Sequence, residues 1–469
     1  MKNIFLIFFL AISAAVSSAQ PPNYRYTFKQ LREYEGVYQY VNHTTLKMAA
    51  SPNEIVLCAI VNQTRYALKA IGKDSFLTNA NQSINFLRGN LHKITGYAYK
   101  GDTLKLLNSN VKIPSQMWYP RSAASGSNKS YKYQIPAALG DGLLTANVAN
   151  SGLDTTLLNT MVKKIIAGEY PNVHSVLIIK DGKLVFEEYF YEYTRDSVQE
   201  QRSATKSVIS ALTGIAIQQG RIKSVNERIF PYFPGYQPAN NSELKQKITV
   251  DDLLSNQSGV SFDEAYDKAA GNETDMGYTD DWVKYTFDLP LIDTPGTKGR
   301  YNSGNPITLG RIIEITTGVP LRDYAIKNLF GPMGISNFKW RFKPDKSESE
   351  DYCQLYLRPR DMAKFGLLYL NDGRWNNRQL LPAEWVATST SKHAVVQGVD
   401  YGYLWWLKYL DADGTRYFSF AAQGNGGQKT YVFRPQHLVV VVTGGNYNTP
   451  SPSNELVKKF ILPAFNKKR

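Results

Sequence analysis

A chain of 469 residues that is 43% hydrophobic and 20% charged is long enough to bury a real core, and its length points to two domains. Lysine and arginine outnumber aspartate and glutamate by 54 to 40, a formal charge of +14, yet the basic residues are dispersed and only the tail "NKKR" is dense. That balance favours anionic neighbours in general and excludes a nucleic-acid module, which needs a basic stripe with interleaved aromatics.

Two cysteines, Cys58 and Cys353, are too few for a disulfide framework. Both sit in apolar strings ("IVLCAIV" and "DYCQLYL"), so buried thiols are expected. The five histidines are scattered, no Cys/His cluster has metal-ligand spacing, and neither metal nor cofactor is expected.

The chain opens with "MKNIFLIFFLAISAAVSSAQ": one early cation (Lys2), an apolar run from Ile4 to Ile12, and small residues before Gln20. This is the layout of a secretory signal peptide, residues 1–19, with cleavage expected after Ala19 and a periplasmic or secreted product. The run is far short of the ~20 apolar residues of a bilayer span, and no later segment is apolar enough for one. No integral membrane segment is therefore expected.

Residues 26–118 read as a small all-β accessory domain. Short alternating segments ("GVYQYV", "EIVLCAIV", "RYALKAI", "INFLRG", "HKITGYAY", "TLKLL") are punctuated by Gly, Asn and Asp. No constellation in it suggests chemistry. Residues 119–150 are small, polar and Pro/Gly-containing and read as a linker.

From 151 to 469 the pattern changes. "LNTMVKKIIAG" is a helix ending at a glycine, and "SVLIIKDGKLVFEEYF" is a hairpin turning at Asp181-Gly182. "RYFSFAAQ", "QKTYVFRP" and "HLVVVVTGGN" are strands, and an amphipathic helix follows from Asn454. Helices at both ends of a run of antiparallel strands imply an α+β layered domain.

Between them lies "QRSATKSVISALTGIAIQQG". Val208, Ile209, Leu212, Ile215 and Ala216 form one helical stripe, and Ser203 and Lys206 stand just ahead of it, one turn apart. Ser-x-x-Lys also begins at Ser109, Ser242, Ser336 and Ser389, but those four lie in polar strings or lack a helical stripe. A serine hydroxyl needs a base to become a nucleophile, and a neutral lysine one turn on can be that base. A helix N-terminus adds free N–H groups and a positive dipole end. A plain polar helix start is the competing reading of the string taken alone.

Two later strings bear on that choice. "PGTKGRYNSGNPITLGRIIEITTG" puts Tyr301, Asn302 and Ser303 in a loop before an apolar helix, where a tyrosine can relay protons. "AAQGNGGQKTYVF" puts Gly424, Gly426 and Gly427 at a strand entry, where absent side chains let another backbone approach. Taken singly, each also reads as an ordinary loop or turn.

In this order the three strings resemble the motifs of the serine β-lactamase and penicillin-binding-protein superfamily: Ser-x-x-Lys, Tyr-x-Asn and Lys/His-x-Gly. "ITVDDLLSNQSGV", "RPRDMAKFGLLYLNDGRW", "LLPAEWV" and "YGYLWW" are similar to the same family. The esterase-like and aminohexanoate-dimer-hydrolase-like branch, with its "GxGGQ", is the nearest in pattern. The resemblance covers about 157–465. It implies an α+β fold, an antiparallel sheet flanked by helices as in β-lactamases and DD-peptidases, here preceded by the small all-β domain.

It also implies a serine hydrolase cleaving a small-molecule ester or amide through an acyl-enzyme. Ser203 would be the nucleophile, Lys206 its base and Tyr301 the proton shuttle, with the backbone N–H groups of Ser203 and Gln428 as the oxyanion hole. Substrate-binding positions would be Tyr266, Ser303, Asn425, Gly426 and Gly427. Two positions depart from the pattern: Ser303 replaces the motif asparagine, and Asn425 replaces the edge-strand cation, leaving Arg300 and Lys429 as substitutes for it. The departures favour short esters over carboxylate-bearing β-lactams. A penicillin-binding type peptidase or β-lactamase and a non-catalytic binder on the same fold are the alternatives.

Overall fold

The computed structural model describes residues 24–40, 45–61, 64–79, 81–121, 131–262, 269–277, 279–340, 342 and 355–465. Residues 1–19, expected to be a signal peptide, lie outside them, as do Tyr266 and Cys353. The chain divides into two compact units. One comprises Met1–Tyr40, Leu46–Ile60 and Tyr66–Val111; the other comprises Val41–Thr45, Val61–Arg65 and Lys112–Arg469.

The first unit is a closed barrel of eight strands: Gly36–Gln39, Thr45–Ser51, Val56–Val61, Thr64–Gly72, Ser75–Leu77, Ser83–Arg88, Ile94–Tyr99 and Asp102–Asn108. Its first and last strands pair, Tyr38 opposite Leu106. Alternation drives the closure: Ile84 and Phe86 point inward and are buried, while Ser83 and Asn85 are exposed. Tyr34, Tyr38, Phe76, Phe86 and Tyr97 fill the interior edge to face, with the Tyr34 and Phe76 centroids 5.4 Å apart. Cys58 is buried. Two strands exceed the six read from sequence. Thr45–Ser51 carries two alanines, poor strand formers, and Ser75–Leu77 is too short to show a period.

The second unit is built on a nine-stranded sheet. We label its strands β1 (Leu144–Thr145), β2 (Val173–Lys180), β3 (Lys183–Tyr189), β4 (Ala394–Val396), β5 (Val399–Tyr401), β6 (Trp406–Ala412), β7 (Thr415–Gly424), β8 (Gln428–Phe433) and β9 (Leu438–Gly444). Their spatial order is β4-β5-β6-β7-β8-β9-β2-β3-β1. The hairpin between β2 and β3 turns at Asp181 and Gly182, both at positive φ (50° and 75°), as a two-residue hairpin turn requires. Every residue of β9 is buried, so its run of valines sits between layers.

Four helices matter for the site: α1 (Thr155–Ile166), α2 (Thr205–Gln218), α3 (Gly304–Thr317) and α4 (Pro359–Leu370). One face of the sheet, with Leu407, Val432 and Val441, packs on Leu212, Ile312 and Leu368 of α2, α3 and α4. The other, with Val176, Tyr431 and Val440, packs on α1 and on Phe460 and Ile461 near the C-terminus. Each such side chain fully buried contributes about 1.5–3 kcal/mol.

α2 differs from its expected single stripe: every residue from Thr205 to Ala216 is buried. Part of its polar side is satisfied inside the protein. The Ser207 hydroxyl donates to the Leu404 carbonyl (2.8 Å) and Thr213 donates to Ile209 (2.9 Å). Gly214 leaves room for the Trp385 ring, which a Cβ there would strike. The expected linker is also partly structured. Tyr133 donates to the Val185 carbonyl (2.8 Å), and β1 adds to β3 in parallel, so from Tyr131 on this stretch is part of the second unit.

Candidate active site

The site begins where a short strand runs into α2. Gln199–Glu200 pairs with Leu355–Leu357, and the Gln201 amide donates to the Leu355 carbonyl (2.8 Å). Arg202 follows at φ 47°, a left-handed conformation uncommon for a residue with a side chain. A 3₁₀ turn over Arg202–Ala204 then delivers Ser203 at the mouth of α2. Lys206 is 8% exposed, and its Nζ donates to Ser203 Oγ at 2.9 Å.

All five Ser-x-x-Lys sequences lie among the described residues, and this is the pair that forms a serine–lysine hydrogen bond. Lys245 instead gives its ammonium to the carbonyls of Ala239, Phe287 and Leu289 (3.0, 2.9 and 2.7 Å). Ser389 donates to the Val386 carbonyl (3.4 Å) while Lys392 pairs with Asp400. Ser109 and Ser336 are exposed.

Tyr301 reaches the pair from the loop before α3. Its ring centroid lies 5.0 Å from Lys206 Nζ, and the ring stacks on Trp406 (5.6 Å, 27°). Trp406 in turn meets Tyr401 edge-on (4.9 Å), and burial pushes the Tyr401 phenol well above its ordinary range. The loop is pinned at both ends. The Arg300 amide donates to the Asn256 carbonyl (2.8 Å), and Asn302 Oδ1 accepts from the Gly304 amide (2.7 Å).

Ser303 donates to Glu273 Oε2 at 3.0 Å. Both line a small pocket beside Ser203 together with Lys206, Ile209, Ile307 and Phe342. Sequence reasoning missed Glu273, because a carboxylate in "GNETDMGY" has no spacing relation to the motifs.

The glycine strings divide in role. Gly426 and Gly427 stand at φ 89° and 102°, and a Cβ on Gly426 would lie 2.7 Å from the Tyr447 ring. Asn425 Oδ1 accepts from the amides of Gly426 (2.8 Å) and Asn448 (2.9 Å), so its side chain serves the turn. None of the three lines the small pocket.

Gln428 differs from its expected place. It opens β8, an interior strand: it stands opposite Gly424 of β7, and its neighbour Lys429 pairs with Val442 of β9. The backbone that approaches the Arg202–Ala204 turn is the end of β7. β6 pairs with β7 only as far as Ala421, and beyond it a Cβ on Gly424 would collide with the Gln201 carbonyl and lie 3.1 Å from Arg202 Cβ.

The candidate cations are occupied elsewhere. Arg300 pairs with Asp293. Lys429 donates to Gln423 Oε1, which Lys408 also reaches (2.9 Å); burial, with Lys408 beside it, pushes Lys429 down to about 7. Arg202, at the pocket rim, pairs with Glu200 (2.8 Å) and lies over the Tyr447 ring. Among the described residues no group of three His, Cys, Asp or Glu side chains could hold a metal ion, and no helix is long and apolar enough to cross a membrane.

The arrangement can carry an acyl transfer: a hydroxyl in contact with an amine, a tyrosine ring over that amine, and backbone close by. Comparison with known proteins agrees. The family model described as Beta-lactamase matches residues 165–464. A protein of Escherichia coli K12 named "Putative D-alanyl-D-alanine carboxypeptidase" is 28% identical over 240 residues, 46% of this chain and 52% of its own. The chain thus spans about half the length of the curated relatives it matches. Among solved structures, a family VIII carboxylesterase superposes with a TM-score of 0.53 at 16% identity, covering 66% of this chain and 97% of its own. A penicillin-binding protein homologue from Pyrococcus abyssi does so with a TM-score of 0.51 at 18% identity, covering 67% and 77%. At these identities the structural likeness is one of fold.

Proposed function

The chain belongs to the beta-lactamase family, and from that membership we propose an exported serine hydrolase that cleaves short esters, and more slowly uncharged amides, through an acyl-enzyme on Ser203. The observation that carries this reading is the 2.9 Å hydrogen bond between Lys206 and Ser203. Neutral Lys206 takes the hydroxyl proton as Oγ attacks the carbonyl carbon, and the carbonyl π pair moves onto oxygen. The intermediate collapses, the bond to the leaving alkoxide breaks, and the proton passes by way of Tyr301 to that oxygen. Water then adds to the acyl carbon, giving its proton to Tyr301 and Lys206, and Ser203 leaves with a proton restored.

The developing oxyanion is held by the Ser203 amide and a second backbone N–H. We assign the second donor to the free edge of β7 after Gly424, at the Asn425 amide, in place of Gln428. An oxyanion donor contributes about 2.7–4 kcal/mol, and it must face the substrate to do so.

Substrate charge follows from the same surroundings. Arg300, Lys429 and Arg202 each have partners, and the pocket beside the nucleophile presents the Glu273 carboxylate. A substrate carboxylate would lose charge-assisted hydrogen bonds of about 1.5–3 kcal/mol each and meet repulsion. Penicillins are thus expected to be poor substrates. The competing reading is a penicillin-binding type peptidase or β-lactamase, favoured by the 28% identity to the Escherichia coli protein. A non-catalytic binder has no call to keep Lys206 against both Ser203 and the Tyr301 ring.

A panel of nitrophenyl esters, short amides and a chromogenic cephalosporin tests the proposal. Short esters should turn over fastest, and a cephalosporin cleaved faster than nitrophenyl acetate selects the competing reading. Export is tested separately, by whether the mature protein begins at Gln20.

A further inference from the structure

Two hollows meet at one pair of side chains. The pocket beside the nucleophile has a volume of about 30 Å³, room for roughly two or three non-hydrogen atoms. A second groove of about 410 Å³ adjoins it, lined by Phe233, Tyr236, Trp282 and Val283, by Arg311 and Ile315 of α3, and by the charged side chains of Asp280, Asp281 and Lys284. Ile307 and Phe342 line both hollows. Ile307, Arg311 and Ile315 are successive turns of one face of α3, so the groove continues the line on which the small pocket begins.

The small pocket takes the acyl side of the substrate. Lys206 lines it, whereas Tyr301, which hands the proton to the leaving group in the reading above, lies over Lys206 and against Trp406 without lining the pocket. A group departing towards Tyr301 therefore leaves the acyl chain pointing past Thr205 and Ile209 towards Ile307 and Phe342.

We infer that Ile307 and Phe342 partition the acyl side of the cleft, restricting the enzyme to acyl chains of two to four carbons, and that the adjoining groove is a latent subsite for medium-length apolar chains. This rests on the serine hydrolase reading above. The partition is firmly held on one side: Phe342 packs on Gly310 of α3, where a Cβ would strike its ring, and meets Trp340 edge-on (6.3 Å, 84°). Ile307 is only half-buried, so trimming it leaves the core in place. Each methylene buried in the groove is worth about fourfold in binding.

The test compares kcat/KM for nitrophenyl acetate, butyrate and octanoate in the wild type and in Ile307→Ala, Phe342→Leu and Phe342→Ala, with melting curves to confirm folding. In the wild type, octanoate should fall at least tenfold below acetate. Ile307→Ala and at least one Phe342 variant should raise the octanoate-to-acetate ratio tenfold or more. Turnover that depends on Ser203, with that ratio unchanged in folded Ile307→Ala and Phe342→Leu, overturns the partition alone. Absence of Ser203-dependent turnover in the wild type overturns the hydrolase reading and the partition with it.

Discussion

Replacing Lys206 by methionine removes the amine while keeping an unbranched chain in the same buried slot. The wild-type contact is direct, Nζ to Ser203 Oγ at 2.9 Å, with no other cation in the small pocket free of a carboxylate partner. General-base loss typically costs ~10²–10⁴-fold, or about 3–5 kcal/mol of barrier at 1.36 kcal/mol per tenfold. Stability should change far less. Ser203 is half-buried and can turn its hydroxyl to water, and the loss of the lysine's contact with the Tyr301 ring is worth about 1 kcal/mol. The assay is kcat/KM for nitrophenyl acetate beside a urea denaturation curve. Lys206→Arg serves as the second variant, since a guanidinium keeps the charge but does not deprotonate. Both variants should lose at least a hundredfold with folding intact. Either one within threefold of the wild type would remove Lys206 from the role of base.

Gly424→Ala puts a methyl against the Gln201 carbonyl, where β7 passes the nucleophile turn, and should cost about 1–3 kcal/mol of stability and more than tenfold in kcat/KM; near-native values in both would refute the close approach. Lys429, pushed down to about 7, is charged in both folded and unfolded chains below that pH, but above it the folded lysine sheds its proton while the unfolded one holds it to about 10.5. The unfolded state then binds more protons, so this group makes stability rise with pH between about 7 and 10.5. Lys429→Met should be more stable than the wild type at neutral pH, with the advantage shrinking as the pH rises towards about 10.5; an advantage independent of pH would refute the assignment. Glu273→Gln should relax the bias against carboxylate-bearing acyl groups, read as a higher kcat/KM for nitrophenyl hydrogen succinate relative to the butyrate.

The parts legible in the sequence are those fixed by local chemistry. The Asp181-Gly182 turn, the glycine after α1 and the Ser203–Lys206 spacing each follow from a few neighbouring residues. What was not legible depends on contacts between distant segments. The polar face of α2 reads as solvent-facing until Leu404 and Trp385 come over it. Glu273 becomes part of the site only because Ser303, thirty residues on, turns towards it. The family resemblance implies an oxyanion-hole amide at Gln428. The hairpin instead folds Gln428 into the interior of the sheet and presents the end of β7 to Ser203, an outcome set by strand pairing. Thr45–Ser51 was missed for a simpler reason, since paired alanines carry no strand signal.

The central claim is an acyl-enzyme on Ser203. Rapid acid quenching during turnover of a nitrophenyl ester, followed by intact mass and peptide mapping, measures it directly. The account predicts one acyl group per chain, carried on Ser203 and absent from Ser203→Ala. Steady hydrolysis with no adduct, or an adduct on another serine that persists in Ser203→Ala, would contradict it.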